Sequence, residues 1–442
     1  MKTIKTYNET QVKKKHAIKT SPLLSSDDAV DKKTLYNEIF DLFELGMKDL
    51  NAYQLRLKLA MFDSLYKDFT DTAITKMHKD YDWCFLTDNL QTEFDNITPE
   101  LIDVSKDAFW KDRFHRYLLT TTTHNINPSY IGRTVRLLVI DKWKKEKYGK
   151  NYVLGFILLN SPLVYSMNRN QYFFKDFTPD KRDLVSLLNK HFISGSVIVP
   201  TQSFGRYLLG GKLMALLCTS QEVLDIWDKA YGNQSKTLVF ETTSLYADLK
   251  ANQVSQYDGL DRFLKKIGVT DSSKVLLYLP DGISQKINKI VSTFHQKWYK
   301  KTILTVAIAN APKQKIYKKF IQDEFLPYFK EHEPEKYNII RQRLKNNEWS
   351  AHSRKNSYAF CPYTKEQTIN VLSGKMKLEE LLQQPKRVDN SHAEVVAYWR
   401  RKSARRLEKK KEEIIAARKT NTWNEFYTRQ EMRHGPAWRI VR

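Results

Sequence analysis

The chain has 442 residues, of which 41% are hydrophobic and 12% aromatic, so it can bury a real core and is not disordered as a whole. Its formal net charge of +24 favours polyanions as partners. Three widely spaced cysteines form no CxxC pair, which excludes a zinc ribbon and a disulfide framework, and ten scattered histidines offer no metal spacing. No apolar run is long enough to span a bilayer, and the lysine-rich start has no apolar signal core. These features predict a cytoplasmic protein with no membrane partner and no metal.

In chain order, residues 1–33 read as a flexible basic N-terminus and 34–130 as a helical region. Leu35, Ile39, Leu42, Phe43 and Leu45 fall at helical spacing. After a break at Gly46 the pattern resumes with Tyr53, Leu57, Ala60, Met61 and Leu65, and Pro99 is placed to start a further helix. From Arg133 the pattern changes. Thr134–Ile140 and Tyr152–Leu159 read as a strand pair joined by a charged loop, Lys142–Lys150. Val197–Val199, Leu238–Phe240 and Val275–Leu279 read as further strands, with one long helix over Gly205–Tyr231 and another over Ser255–Ile267. Residues 131–282 are thus expected to form a central α/β domain, followed by a helical region at 283–385 and a basic arm at 386–442. The fold class is α+β, a central mixed sheet with packed helices between helical ends.

Four segments carry candidate chemistry. Thr201–Lys212 follows a strand and opens a helix, so Gln202, Gly205, Gly210, Gly211 and Lys212 can cradle a phosphate; the glycines serve close helix–sheet packing equally well. The strand ending Glu241-Thr-Thr-Ser delivers a carboxylate and hydroxyls to a sheet edge, with Asn252, Ser255, Gln256 and Tyr257 returning behind it. Glu241, Thr243 and Tyr257 are the catalytic candidates, Glu241 as general base or substrate anchor, or alternatively as an arginine's partner. Arg169, between Asn168 and Asn170, can reach a phosphate or base. The C-terminal run supplies Arg400, Arg401, Lys402, Arg405, Arg406 and Lys409 as phosphate contacts, with Trp399, Trp423, Tyr427 and Trp438 able to stack on bases or to pack on the body.

Residues 131–282 resemble the DruA family associated with Druantia anti-phage systems. The resemblance is carried by Arg136-Leu-Leu-Val-Ile, Val153–Leu159 with Asn160-Ser-Pro162, and Arg169 ahead of an aromatic patch. It continues through Ile198-Val-Pro200, the Leu208-Leu-Gly-Gly-Lys-Leu213 segment, Tyr231-Gly232, Leu238-Val-Phe-Glu-Thr-Thr243, Tyr257 and Ile267-Gly-Val-Thr270. The family's tryptophan-rich stretch is Gln171-Tyr-Phe-Phe174 here, and the residues after Tyr257 are Asp258-Gly-Leu260. The same order is similar to Mom-type phage DNA-modification proteins, which have an acetyltransferase-like fold. Gln202-Ser-Phe-Gly205 echoes half of an acyl-CoA pyrophosphate loop, with Tyr207 at the second small position. The resemblance implies a bacterial host cytoplasm, DNA or another nucleic acid as partner, and other phage or defence-system proteins beside it. It leaves three readings open: a small-group transferase on DNA bases using an acyl-CoA-type donor, a non-catalytic DNA-binding factor, and a virion-associated basic protein.

Overall fold

The computed structural model describes residues 31–122, 132–232, 236–244, 257–271, 279–305, 310–346, 354–420 and 426–434. Seven strands make one mixed sheet: β1 (Pro99–Asp103), β2 (Thr134–Asp141), β3 (Val153–Asn160), β4 (Phe192–Pro200), β5 (Val239–Ser244), β6 (Lys265–Asp271) and β7 (Arg354–Phe360). The spatial order is β1-β2-β3-β4-β5-β7-β6. Only the β4–β5 pair is parallel among the described strands; the others are antiparallel.

The expected α+β class and the central mixed sheet are what the chain forms. β2 and β3 pair antiparallel from Thr134↔Asn160 to Ile140↔Val153. Both are buried along nearly their whole length, because helices cover both faces of the sheet. One face carries Leu137, Leu154, Ile193, Phe240 and Tyr358 under the helices Gly210–Leu217, Gln221–Tyr231 and His392–Thr420. The opposite face carries two separate clusters. Leu138, Ile140, Phe156, Leu158 and Val197 pack on the helices Leu50–Leu65, Asp71–Tyr81 and Ala108–Thr121. Phe192, Val239 and Ala359 pack on Met167–Phe173 and Lys181–His191. A fourth cluster joins the helix Lys32–Lys48 to the helices between Asp281 and Asn346.

Several expected elements differ. Pro99 starts β1, not a helix, because its segment pairs along β2. The Lys142–Lys150 loop contains a helix, Lys142–Tyr148, capped by the Asp141 carboxylate and closed by Gly149 at φ 72°. Gly205–Tyr231 is three helices, broken at Leu209, whose φ is 52°, and again before Ser220, whose hydroxyl accepts from the Val223 amide. Ser255–Ile267 is not a helix in its described part. Two successive turns put Leu260, Phe263 and Leu264 inside, through Phe263 N–H to Leu260 O and Leu260 N–H to Tyr257 O, and β6 begins at Lys265. Such turns reproduce the i, i+3, i+4 burial that periodicity reads as helix. The helix break near Gly46 falls at Asp49, which caps Leu50–Leu65. The strand expected at 275–279 lies outside the described residues except for Leu279.

The C-terminal segment is no loose arm. His392–Thr420 is a helix of 29 residues, and Val395, Trp399, Leu407, Ile414 and Ala417 are buried in the main core. Trp399 Nε1 and Ser403 Oγ both donate to the Leu208 carbonyl, at 2.9 and 2.7 Å. Its few apolar residues fall on one side, so a charged sequence still docks firmly. Among the described residues no helix is long and apolar enough to cross a membrane.

Candidate functional site

A polar row crosses the middle of the sheet between the two apolar clusters of one face. Strand register places Thr134 opposite Asn160, Asn160 opposite Ser194, and Ser194 opposite Glu241. Cross-strand neighbours of this kind lie about 5 Å apart. Asn160 Oδ1 is buried and has no hydrogen-bond partner among the described residues. Nearby, the β4–β5 pairing ends at Gly195↔Thr242, although both strands continue, so the two part at their C-terminal ends. The Thr242 hydroxyl donates to the Gly195 carbonyl at 2.8 Å and closes the base of the opening. β4 is irregular there, because Leu158 pairs with Val197 and Leu159 with Gly195. The extra residue, Ser196, is exposed on a central strand, as is Thr243 on β5. Arg136 shares this face, and its guanidinium has no hydrogen-bond or ion-pair partner among the described residues.

Glu241 sits at the end of this row against Arg169, with Nη1 to Oε1 at 3.1 Å. Arg169 is fully buried, and its other groups are spent on the Asn170 side chain and, at 2.8 Å, on the Val164 carbonyl. Burial raises the Glu241 pKa above the ordinary carboxylate value, and Arg169 opposes the shift without cancelling it. Beside them, Asn168 Nδ2 donates to Ser357 Oγ on β7 at 3.0 Å. Gly268 on β6 must be glycine here: its φ is 155°, and a Cβ would stand 2.7 Å from the Asn168 side chain.

Tyr257 does not join Glu241. It packs edge-on against Tyr358 at 5.2 Å, in the core of the other face. Glu241 and Tyr257 therefore lie on opposite faces of the sheet, and they do not line one pocket. Thr243 is exposed on the Glu241 side. Asn252, Ser255 and Gln256 lie outside the described residues.

The glycine-rich segment is occupied by packing. A Cβ on Gly205 would meet Pro200 at 2.8 Å, and one on Gly210 would meet Phe204 at 2.4 Å. The Gln202 amide donates to the Thr121 carbonyl, and Lys212 Nζ donates to the Asp258 carbonyl at 2.7 Å. Gly211 is half-buried at the start of the same helix.

The basic residues of the His392–Thr420 helix divide by side. Arg400 donates to the Ile97 carbonyl, and Arg406 holds the Arg206 carbonyl at 3.0 and 3.2 Å, so these two dock the helix. Lys402 lies half-buried with its ammonium 4.9 Å from the Tyr398 ring centre. Arg401, Arg405 and Lys409 are exposed at successive four-residue steps and form one outward row. Arg169, being buried, presents nothing to a phosphate. Trp399 and Tyr427 are core residues, while Trp423 and Trp438 lie outside the described residues.

The sequence reading missed the polar row. Its signal was present: Asn160 and Ser194 occupy core-facing register positions in otherwise aliphatic strands. A family model described as "Druantia protein DruA" matches residues 46–262. That stretch holds β1–β5, the whole polar row and Arg169, and stops before β6 and β7. No curated protein and no solved structure matches the chain.

Proposed function

The chain belongs to the DruA-like family, and on that premise we propose that it is an anti-phage defence protein that acts on nucleic acid as a small-group transferase. The carrying observation is the polar row Thr134–Asn160–Ser194–Glu241, set where the parallel strands β4 and β5 part. Ligands favour the carboxyl ends of parallel strands at such a switch point. A mixed sheet with a single parallel pair among the described strands is compatible with the acetyltransferase-like fold that the resemblance to Mom-type proteins implies. Asn160 Oδ1 is a buried acceptor left without a partner among the described residues, which marks the row as unsatisfied, and Arg136, whose guanidinium has no partner among the described residues, can meet a phosphate. Glu241, its carboxyl pKa raised above the ordinary value by burial, suits a general base that takes a proton from a base's amino group.

The residues named for an acyl-CoA-type donor do not fit its diphosphate in this arrangement. Gly205 and Gly210 are filled by Pro200 and Phe204, and Gln202 and Lys212 are bonded elsewhere. This observation favours a second reading, a non-catalytic DNA-binding factor of the same defence type.

The two separate on nucleoside mass spectrometry of DNA from cells expressing the wild type, Glu241→Gln and Asn160→Ala. A mass-shifted nucleoside that disappears in both variants supports the transferase. Unmodified nucleosides alongside tight DNA binding support the second reading.

A further inference from the structure

We infer that the segment Leu163–Met167 is a nucleobase-stacking wedge, held in place by Arg169 acting as a positioning residue. The inference rests only on the nucleic-acid half of the reading above and not on transfer chemistry.

Leu163, Tyr165 and Met167 are 76%, 71% and 63% exposed, three large apolar side chains at alternate positions within five residues. Single exposed apolar residues are ordinary, but a cluster of them marks a contact surface. The segment is fixed, which separates it from a loose loop tip. Ser161 N–H donates to the Arg133 carbonyl at 3.1 Å, and Asn170 N–H to the Ser166 carbonyl at 2.9 Å. Arg169 Nη2 holds the Val164 carbonyl at 2.8 Å while its Nη1 holds Glu241. Val164 turns inward and packs on the Phe173–Phe174 cluster, so its neighbours must point outward. The buried guanidinium therefore ties the wedge to the floor of the polar row. The wedge also follows Asn160, the last residue of β3, whose Oδ1 has no partner among the described residues.

Charge selects the occupant. Arg133 lies at the base of the segment, with Nε 3.3 Å from Ser161 Oγ, and Arg136, whose guanidinium has no partner among the described residues, lies on the same face of the sheet. On a chain of net charge +24, rigid apolar side chains flanked by arginines suit a base with its phosphates.

The test is fluorescence anisotropy of the full-length protein with a labelled single-stranded oligonucleotide across a salt series. Tyr165→Ala should weaken binding about ten-fold, the scale of one lost base stack, and leave the salt slope unchanged, since no phosphate contact is removed. Tyr165→Trp should restore affinity. Unaltered binding by both Tyr165→Ala and Met167→Ala would overturn the inference. So would self-association of the protein alone that Tyr165→Ala abolishes, because the patch would then serve a second copy. If Tyr165→Ala binds weakly and no modified nucleoside is found, the wedge stands and the transferase reading falls.

Discussion

The Arg169 guanidinium meets the Glu241 carboxylate at 3.1 Å across 72 residues of sequence, with the arginine side chain fully buried. A buried pair of this kind is a weak source of net stability, but breaking it leaves one charge stranded. Arg169→Met should therefore cost about 3–5 kcal/mol in urea unfolding near neutral pH. The pH dependence follows from Glu241. Its folded pKa is raised above 4.5, so its stabilising contribution is complete below that value and is lost as pH rises through the folded pKa. Without Arg169 to oppose burial, the carboxyl stays protonated to higher pH, so the deficit of the variant should grow from acid toward neutral pH. A deficit that is constant with pH would place Glu241 in a solvated setting.

Lys144 and Glu93 form a second buried pair at 2.6 Å, exposed by 0% and 1%. Burial alone would raise the Glu93 pKa, yet Lys144 and the amides of Leu86 and Thr87 hold it below the usual value. Glu93→Gln should cost about 3–5 kcal/mol at neutral pH, because the Lys144 ammonium loses its counter-charge. A lowered carboxylate stabilises above 4.5 and ceases to as pH falls through the folded value. The gap between wild type and variant should thus narrow below that pH in thermal melts, the same direction as for Arg169→Met but for the opposite reason: here the wild type loses stability as the acid is protonated.

The docked C-terminal helix changes what truncation means. Deleting residues 386–442 removes Trp399, Leu407 and Ile414 from the core, so the remainder should fail to fold cooperatively. Trp399→Ala alone should cost about 3–5 kcal/mol, the range for a buried aromatic reduced to alanine. Circular dichroism melts check both.

Phosphate contact is expected of Arg401, Arg405 and Lys409 on the outward side of that helix. Replacing all three by Gln should leave the melting temperature unchanged. It should flatten the log–log salt dependence of duplex DNA binding by up to about 0.9 per lost contact. Arg406→Gln should instead lower stability, since its guanidinium holds the Arg206 carbonyl. An unaltered salt slope in the triple variant would leave the outward row a solvated face.

The sequence by itself determined the α+β class, the antiparallel β2–β3 pair, and the parts of the site read from single residues, such as Glu241 at a strand end. Those features are local: β-branched runs, turn residues and charge declare themselves within a few positions. Tertiary structure decided the rest. β7 comes from a region whose pattern reads as helical and inserts between β5 and β6, a non-local pairing that periodicity does not encode. Alternation along β5 sends Glu241 and Thr243 to one face and Thr242, toward Tyr257, to the other, so of the three catalytic candidates Tyr257 is parted from the other two. Register aligned Asn160, Ser194 and Glu241 from three separate strands into one row, and a shift of one residue in any of them would turn its polar side chain to the opposite face.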